Sequence, residues 1–166
     1  MSAKKKTRYL VRAAVIAALY VVLTYLSAAL GLSGQALIQL RLSEALCILP
    51  YFTPAAVPGL ALGCLLSNLL TGAHVLDIIF GTLATLLGAI GTRALRKYRF
   101  LAPLPPIVAN TLIVPFVIRY AYLSTDVALP LLFLTVGIGE ILSVGVLGMV
   151  LLFALKKHRK ALFEND

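Results

Sequence analysis

Residues 38–59, IQLRLSEALCILPYFTPAAVPG, place Gln39, Arg41, Ser43 and Glu44 at the start of a stretch that is otherwise almost all hydrocarbon. An arginine and a carboxylate are costly to hold away from water unless they pair or bind something. Two readings stand. In one, Arg41 and Glu44, three residues apart at a helix start, form an ion pair that anchors the segment at a membrane interface. In the other they belong to a binding site, and the apolar helices around them are its walls.

The rest of the chain explains why these charges matter. Of 166 residues, 61% are hydrophobic and 13% charged, and the mean hydropathy is +1.00. That composition cannot cover a water-soluble domain with a polar surface, so the chain reads as an all-α integral membrane protein, one transmembrane domain over residues 1–166. The net charge of +9 does not point to nucleic acid. Thirteen of the fifteen basic residues sit in three short clusters, Lys4 to Arg12, Arg93 to Arg99 and Lys156 to Lys160, separated by apolar spans. By the positive-inside rule the N-terminus, the loop near Lys97 and the C-terminus are cytoplasmic, and the number of spans is even. Ala13 to Leu30 is an apolar run of 18 residues, longer than the ~7–15 of a cleavable signal, and is retained as helix 1.

Six helices follow. Helix 1, about 10–30, carries Ala13, Ala14, Ala17 and Ala18, two overlapping small-xxx-small pairs that let another helix approach closely. Gly31 and Gly34 end it, and 34–42 reads as an extended outer loop. Ser43 is placed to cap helix 2, which runs to about Phe52, and Thr53 with Pro54 to begin helix 3, which runs to Leu70. Residues 43–70 are 28 for two passes, against ~20 for one full span, so helices 2 and 3 are short or form a re-entrant hairpin. Asp77 begins helix 4, after an outer turn with Gly72 and His74, and helix 4 ends near Thr92. Pro103, Pro105 and Pro106 open helix 5, which Pro115 should kink. Ser124 to Asp126 form the last outer loop before helix 6, about 129–155.

Helix 6 holds one charge, Glu140, roughly ten residues and therefore ~15 Å from its outer end. That is too deep for an interfacial anchor. It faces either a polar cavity or Arg119, the remaining basic residue outside the clusters on the adjacent helix 5.

The sequence gives no sign of an enzyme. Gly31-Leu32-Ser33-Gly34 resembles a GxSG serine protease motif, but Ser33 follows a helix instead of opening one, and neither His74 nor His158 is placed as its base. Cys47 and Cys64 lie in apolar runs without metal-ligand spacing and read as small core residues, and no cofactor or metal is expected. A phosphate loop with GK[ST] is missing, so this chain does not itself hydrolyse ATP. The polar residues collect toward the outer side, where two arginines against Glu44, Asp77, Asp126 and Glu140 leave −2, a balance suited to a neutral or cationic solute.

The runs RAAVIAALY at 12–20, QLRLSEAL at 39–46, LPYFTPAAVPG at 49–59 and DIIFGTLATLL at 77–87 resemble the QueT family, substrate-binding S components of energy-coupling factor (ECF) transporters. The resemblance covers nearly the whole chain. It implies a bacterial cell-membrane protein of six helices that captures a queuosine precursor, a 7-deazaguanine such as queuine or the aminomethyl base, on the outer side. It also implies as partners a transmembrane coupling subunit, contacted by helix 1 at Ala14 and Ala18 with Ala13 and Ala17 beside them, and two ATPase subunits. A guanine-like edge offers two adjacent N–H donors that one carboxylate accepts, plus a carbonyl oxygen for an amide or arginine. Glu140 is the first choice for the carboxylate, Asn68, Gln39 or Arg41 for the carbonyl, and Tyr120 or Tyr122 for stacking, with Glu44, Asp77 and Arg119 nearby. A competing class is a self-contained, homo-oligomeric carrier that moves a solute by protonating Glu140; another is a structural membrane subunit without a ligand.

The charge clusters lead to a direct expectation: a cysteine introduced as Ser2→Cys stays unlabelled when intact cells are treated with a membrane-impermeant maleimide, whereas labelling from outside would overturn the topology.

Overall fold

A computed structural model of the chain describes residues 3–32, 39–122 and 127–159. Ser33, Gly34, Ser124 and Asp126, named above, lie outside the described residues, as do Ser2, Ile38 and Lys160. Among the described residues there are six helices: α1 Ala3–Ala29, α2 Leu42–Tyr51, α3 Ala56–Leu70, α4 Asp77–Ala94, α5 Leu104–Ala121 and α6 Leu129–Lys157. Four of them, α1, α4, α5 and α6, are long and apolar enough to cross a membrane. The order and the shortness of α2 and α3 agree with the expected all-α membrane bundle.

The outer surface is hydrocarbon and the polar groups are inside. Leu10, Val11, Val22, Leu112 and Val150 are among many large apolar side chains left exposed, while Glu44, Ser67, Thr85, Thr92, Asn110 and Ser143 are buried. This inversion is what a lipid-facing bundle requires, because lipid accepts apolar side chains but cannot satisfy polar ones.

The centre is α2. It is a 3₁₀-helix of ten residues, far longer than the three or four usual for that form, and ~20 Å in length at ~2.0 Å per residue. It packs against α1, α3, α4 and α6, with Leu46, Cys47, Ile48, Leu49 and Pro50 buried. Its ends are tied down by side chains from the surrounding helices. At the start, Leu42 N donates to Ser27 Oγ of α1 at 2.9 Å and Arg41 N to Ser143 Oγ of α6 at 3.2 Å. At the other end, the Arg93 guanidinium of α4 donates to the Pro50 carbonyl at 3.2 Å, satisfying an acceptor that the helix leaves open.

Ser43 was expected to cap this helix and does not. The cap position is Arg41, and Ser43 lies buried inside the first turn, where its Oγ accepts from Thr24 Oγ1 of α1 at 2.9 Å. Sequence alone favoured a local cap; packing against α1 supplied a better partner.

The expected small-residue contact between α1 and a neighbour is also resolved into two faces. A Cβ on Gly59 of α3 would stand 2.7 Å from the Ala13 carbonyl oxygen, and one on Gly63 would stand 2.6 Å from Tyr20 Cβ and 3.1 Å from Ala17 Cα. Ala13 and Ala17 are therefore buried within the bundle against α3, used internally rather than offered outward, whereas Ala14 and Ala18 are exposed. Closeness of this kind replaces the hydrophobic drive that is missing in lipid.

Residues 39–41 are extended and lie against α6 instead of staying above the bundle. They fit because position 139 is glycine: any Cβ there would collide with the Gln39 carbonyl. The segment is thereby laid beside Glu140. Both stretches of π-helix, Asp77–Gly81 in α4 and Ile141–Gly148 in α6, border the same region, as such wide turns often do at functional sites.

Gly63→Leu should destabilise the bundle by about 1–3 kcal/mol, since backbone must move to admit the side chain. Gly145→Ala, whose Cβ would meet only Ile107 and Ile141 side-chain atoms at 3.7 Å, should be neutral or stabilising. Melting temperatures of the two variants in detergent test the contrast.

Candidate functional site

A cleft of about 470 Å³, its open mouth included, is enclosed by the start of α2 and by α3, α4, α5 and α6. Gln39, Arg41, Glu44, Asp77 and Glu140 line it, together with Asn110 and Thr85. Five sequence-nominated residues thus converge on one place, drawn from segments about a hundred residues apart in the chain. Val114, Val136 and Gly81 complete an apolar wall.

Glu44 is 2% exposed, and its carboxylate is held by three donors. Tyr20 OH donates to Oε1, and Oε2 accepts from Cys47 Sγ at 3.1 Å and from Asn110 Nδ2 at 3.3 Å. The Cys47 bond follows from the 3₁₀ form, in which residues three apart eclipse. No Arg41–Glu44 ion pair forms among the described residues, so the anchoring pair that the spacing suggested gives way to these neutral donors.

Glu140 differs. It is 9% exposed, and its Oε2 has no hydrogen-bond partner. Glu44, Arg41 and Asn110 line the same cleft beside it. The alternative partner proposed from sequence, Arg119, is exposed and donates from Nη1 to the Val127 carbonyl at 3.4 Å; no bridge joins it to Glu140. A buried carboxylate oxygen without a donor, on a residue that lines a cleft, has acceptor capacity left over.

Asp77 sits at the rim. Tyr122 OH donates to its Oδ2 at 2.6 Å, and Asn68 Nδ2 donates to its backbone carbonyl at 3.1 Å. Burial first, then the hydrogen bond to Asp77 and its negative charge, hold the Tyr122 phenol above its usual pKa range, so it remains a neutral donor. His74 packs beside Tyr122, with ring centroids 6.3 Å apart. Asn68 supports the wall rather than lining the cleft. Tyr120 is 67% exposed and lies outside the lining with Arg119.

Sequence reasoning missed Tyr20, Thr85 and Asn110. Each sits within an apolar helix where a lone hydroxyl or amide is unremarkable, and only α-helical spacing relative to the packed face could have pointed to it. Cys47 and Cys64 were read as small core residues. Both are buried free thiols, but Cys47 donates to Glu44 and Cys64 lines the cleft.

A lipid-facing helical exterior around a buried polar cleft defines a multi-pass membrane protein with a place for a small solute. The family described as QueT transporter matches residues 10–157, and the chain belongs to that family. Among curated proteins, the Queuosine precursor transporter QueT of Lactococcus lactis subsp. cremoris (strain MG1363) is 39% identical over 83 residues, covering 50% of this chain and 48% of that relative. The chain thus matches about half the length of this curated relative. No solved structure matches.

The two carboxylates should respond differently to substitution. Glu44→Ala leaves three buried donors without an acceptor and should cost about 3 kcal/mol or more of stability. Glu140→Gln removes a charge that no donor satisfies on one oxygen, beside another carboxylate, and should leave the melting temperature of the ligand-free protein nearly unchanged. Thermal melting of both variants, side by side, checks the assignment.

Proposed function

We propose that this protein is the substrate-binding membrane subunit, the S component, of an ECF-type importer, and that it captures a queuosine precursor of the 7-deazaguanine class. The observation that carries the reading is Glu140: a buried carboxylate with an unpartnered oxygen, facing a cleft that also holds Arg41. A guanine-like edge presents two neighbouring N–H donors to such a carboxylate and a carbonyl oxygen to Arg41 or Gln39. Val114 and Val136 offer apolar surface to the ring. Family membership and the name of the Lactococcus relative support the choice of ligand.

Tyr122 and Asp77 guard the mouth of the cleft. Tyr120, largely exposed and outside the cleft lining, is less suited to stacking on a ring bound there, and Arg119 serves the neighbouring backbone instead. Since no phosphate loop is present in the sequence, energy for accumulation comes from elsewhere: a transmembrane coupling subunit and two ATPase subunits. Ala14 and Ala18, exposed on α1, are the helix-1 positions open to the coupling subunit. The basic clusters support a cytoplasmic side for both termini and the loop near Lys97.

The purified chain should bind a 7-deazaguanine and, alone in liposomes, should not accumulate it; proton-driven uptake by the isolated chain would overturn the reading in favour of an autonomous carrier. Glu140→Gln turns one acceptor into a donor aimed at a donor and should weaken binding by about 2–4 kcal/mol, or roughly 30- to 1000-fold. Near-normal affinity in that variant would remove Glu140 from the site.

A further inference from the structure

Among the described residues the cleft lining carries three carboxylates, Glu44, Asp77 and Glu140, against one guanidinium, Arg41. Arg119, which entered the charge balance read from the sequence, is exposed and outside the lining. The three acids are not equivalent. Glu44 accepts from Tyr20, Cys47 and Asn110, which take three of the about four acceptor positions on a carboxylate. Glu140 lies deep in α6 with a buried, unpartnered oxygen. Asp77 stands half-buried at the rim, where the Tyr122 hydroxyl takes one acceptor position as a neutral donor, which does not cancel the charge. Its backbone is fixed from two further sides: its N–H donates to the His74 carbonyl at 2.8 Å, and its carbonyl accepts from Asn68 Nδ2 at 3.1 Å. A rim carboxylate held from α3, from α5 and from the preceding turn is a placed group. Since α4 and α6 each pack on α2 and on α5, Asp77 and Glu140 reach the cleft from different walls.

We propose that Asp77 is the specificity-determining residue of the cleft: it receives a protonated amine carried at C7 of the deazaguanine, while Glu140 holds the ring edge. The proposal rests on the functional reading above. C7 belongs to the five-membered ring, on the far side of the bicycle from the N1–H and 2-amino donors. A base with its edge at Glu140 therefore turns its C7 substituent toward another wall. One guanidinium cannot balance both Asp77 and Glu140. A neutral base covering the mouth strips water from an uncompensated carboxylate, which is a cost. An alkylammonium replaces that water with a charge-assisted hydrogen bond from one of its three N–H groups. Selection for the amine is thus partly rejection of the uncharged analogue.

Dissociation constants of 7-aminomethyl-7-deazaguanine and of its uncharged isostere, 7-ethyl-7-deazaguanine, measured on the purified chain, test the assignment. The parent should prefer the amine about tenfold, the scale of one charge-assisted hydrogen bond discounted for the partial exposure of the rim. In Asp77→Asn that preference should fall below about twofold, through loss of affinity for the amine alone. Glu140→Gln should weaken both bases alike and keep the preference. Equal affinities in the parent, a preference that survives in Asp77→Asn, or one that disappears in Glu140→Gln overturns the proposal. Each value is a ratio between two ligands on one sample, so loss of part of the folded protein does not move it, and Asp77→Ser supplies the reading if the asparagine variant does not fold. A second arm needs no base. The chain is labelled with 3-fluorotyrosine, the Tyr122 resonance is identified by its loss in Tyr122→Phe, and ethylammonium chloride is titrated against potassium chloride at equal ionic strength. Ethylammonium should move the Tyr122 signal in the parent and not in Asp77→Asn; an unmoved signal, or equal movement with potassium, overturns the subsite. If neither base binds the parent, the functional reading fails, and the fluorine arm still decides whether Asp77 takes an ammonium.

Discussion

A carboxylate buried among hydrocarbon helices is tolerable only if donors surround it, and the arrangement of this bundle follows from how Glu44 meets that condition. Its donors come from its own helix and from two others: Cys47 one 3₁₀ turn along, Tyr20 across the α1 interface, and Asn110 from α5. For all of them to reach one group, α2 must lie at the middle of the bundle. The short central helix is the consequence. Ten residues suffice because α2 begins at the level of the cleft, where Ser27 and Ser143 receive its first N–H groups.

The same constraint explains the glycines at close crossings. Gly59 and Gly63 bring α3 onto α1 so that Tyr20 is clamped in place, and Gly139 admits the Gln39 backbone beside Glu140. A side chain at any of these positions would push apart elements whose polar groups must touch. Gly88, where a Cβ would stand 2.6 Å from Pro106 Cα, performs the equivalent service between α4 and α5. In lipid, where apolar burial between helices contributes little, such contacts and the buried hydrogen bonds carry the association.

Within this frame the two buried carboxylates divide the work. Glu44 is internally satisfied and organises the helices; Glu140 retains an unsatisfied oxygen toward the cleft. An acceptor left open in a packed interior is a standing cost, which any donor brought to it would remove. That the residue following Glu140 starts a π-helical stretch is consistent with a local geometry kept for a site rather than for packing.

The amino-acid sequence by itself determined the membrane class, the six helices and the shortness of the second and third, because hydropathy, basic clusters and proline or glycine punctuation are local properties of the chain. It also marked Gln39, Arg41, Glu44, Asp77 and Glu140, since charge or amide stands out against hydrocarbon whatever the fold. Only the tertiary structure decided which of them share a cleft, that Glu44 is held by Tyr20, Cys47 and Asn110 instead of Arg41, and that Arg119 and Tyr120 face outward. Those outcomes depend on rotation of each helix about its axis, which spacing along one segment does not encode. The same reason separates Ala13 and Ala17, pressed against α3, from Ala14 and Ala18, left exposed: adjacent residues on a helix point about 100° apart, and only the neighbour's position says which direction is inward.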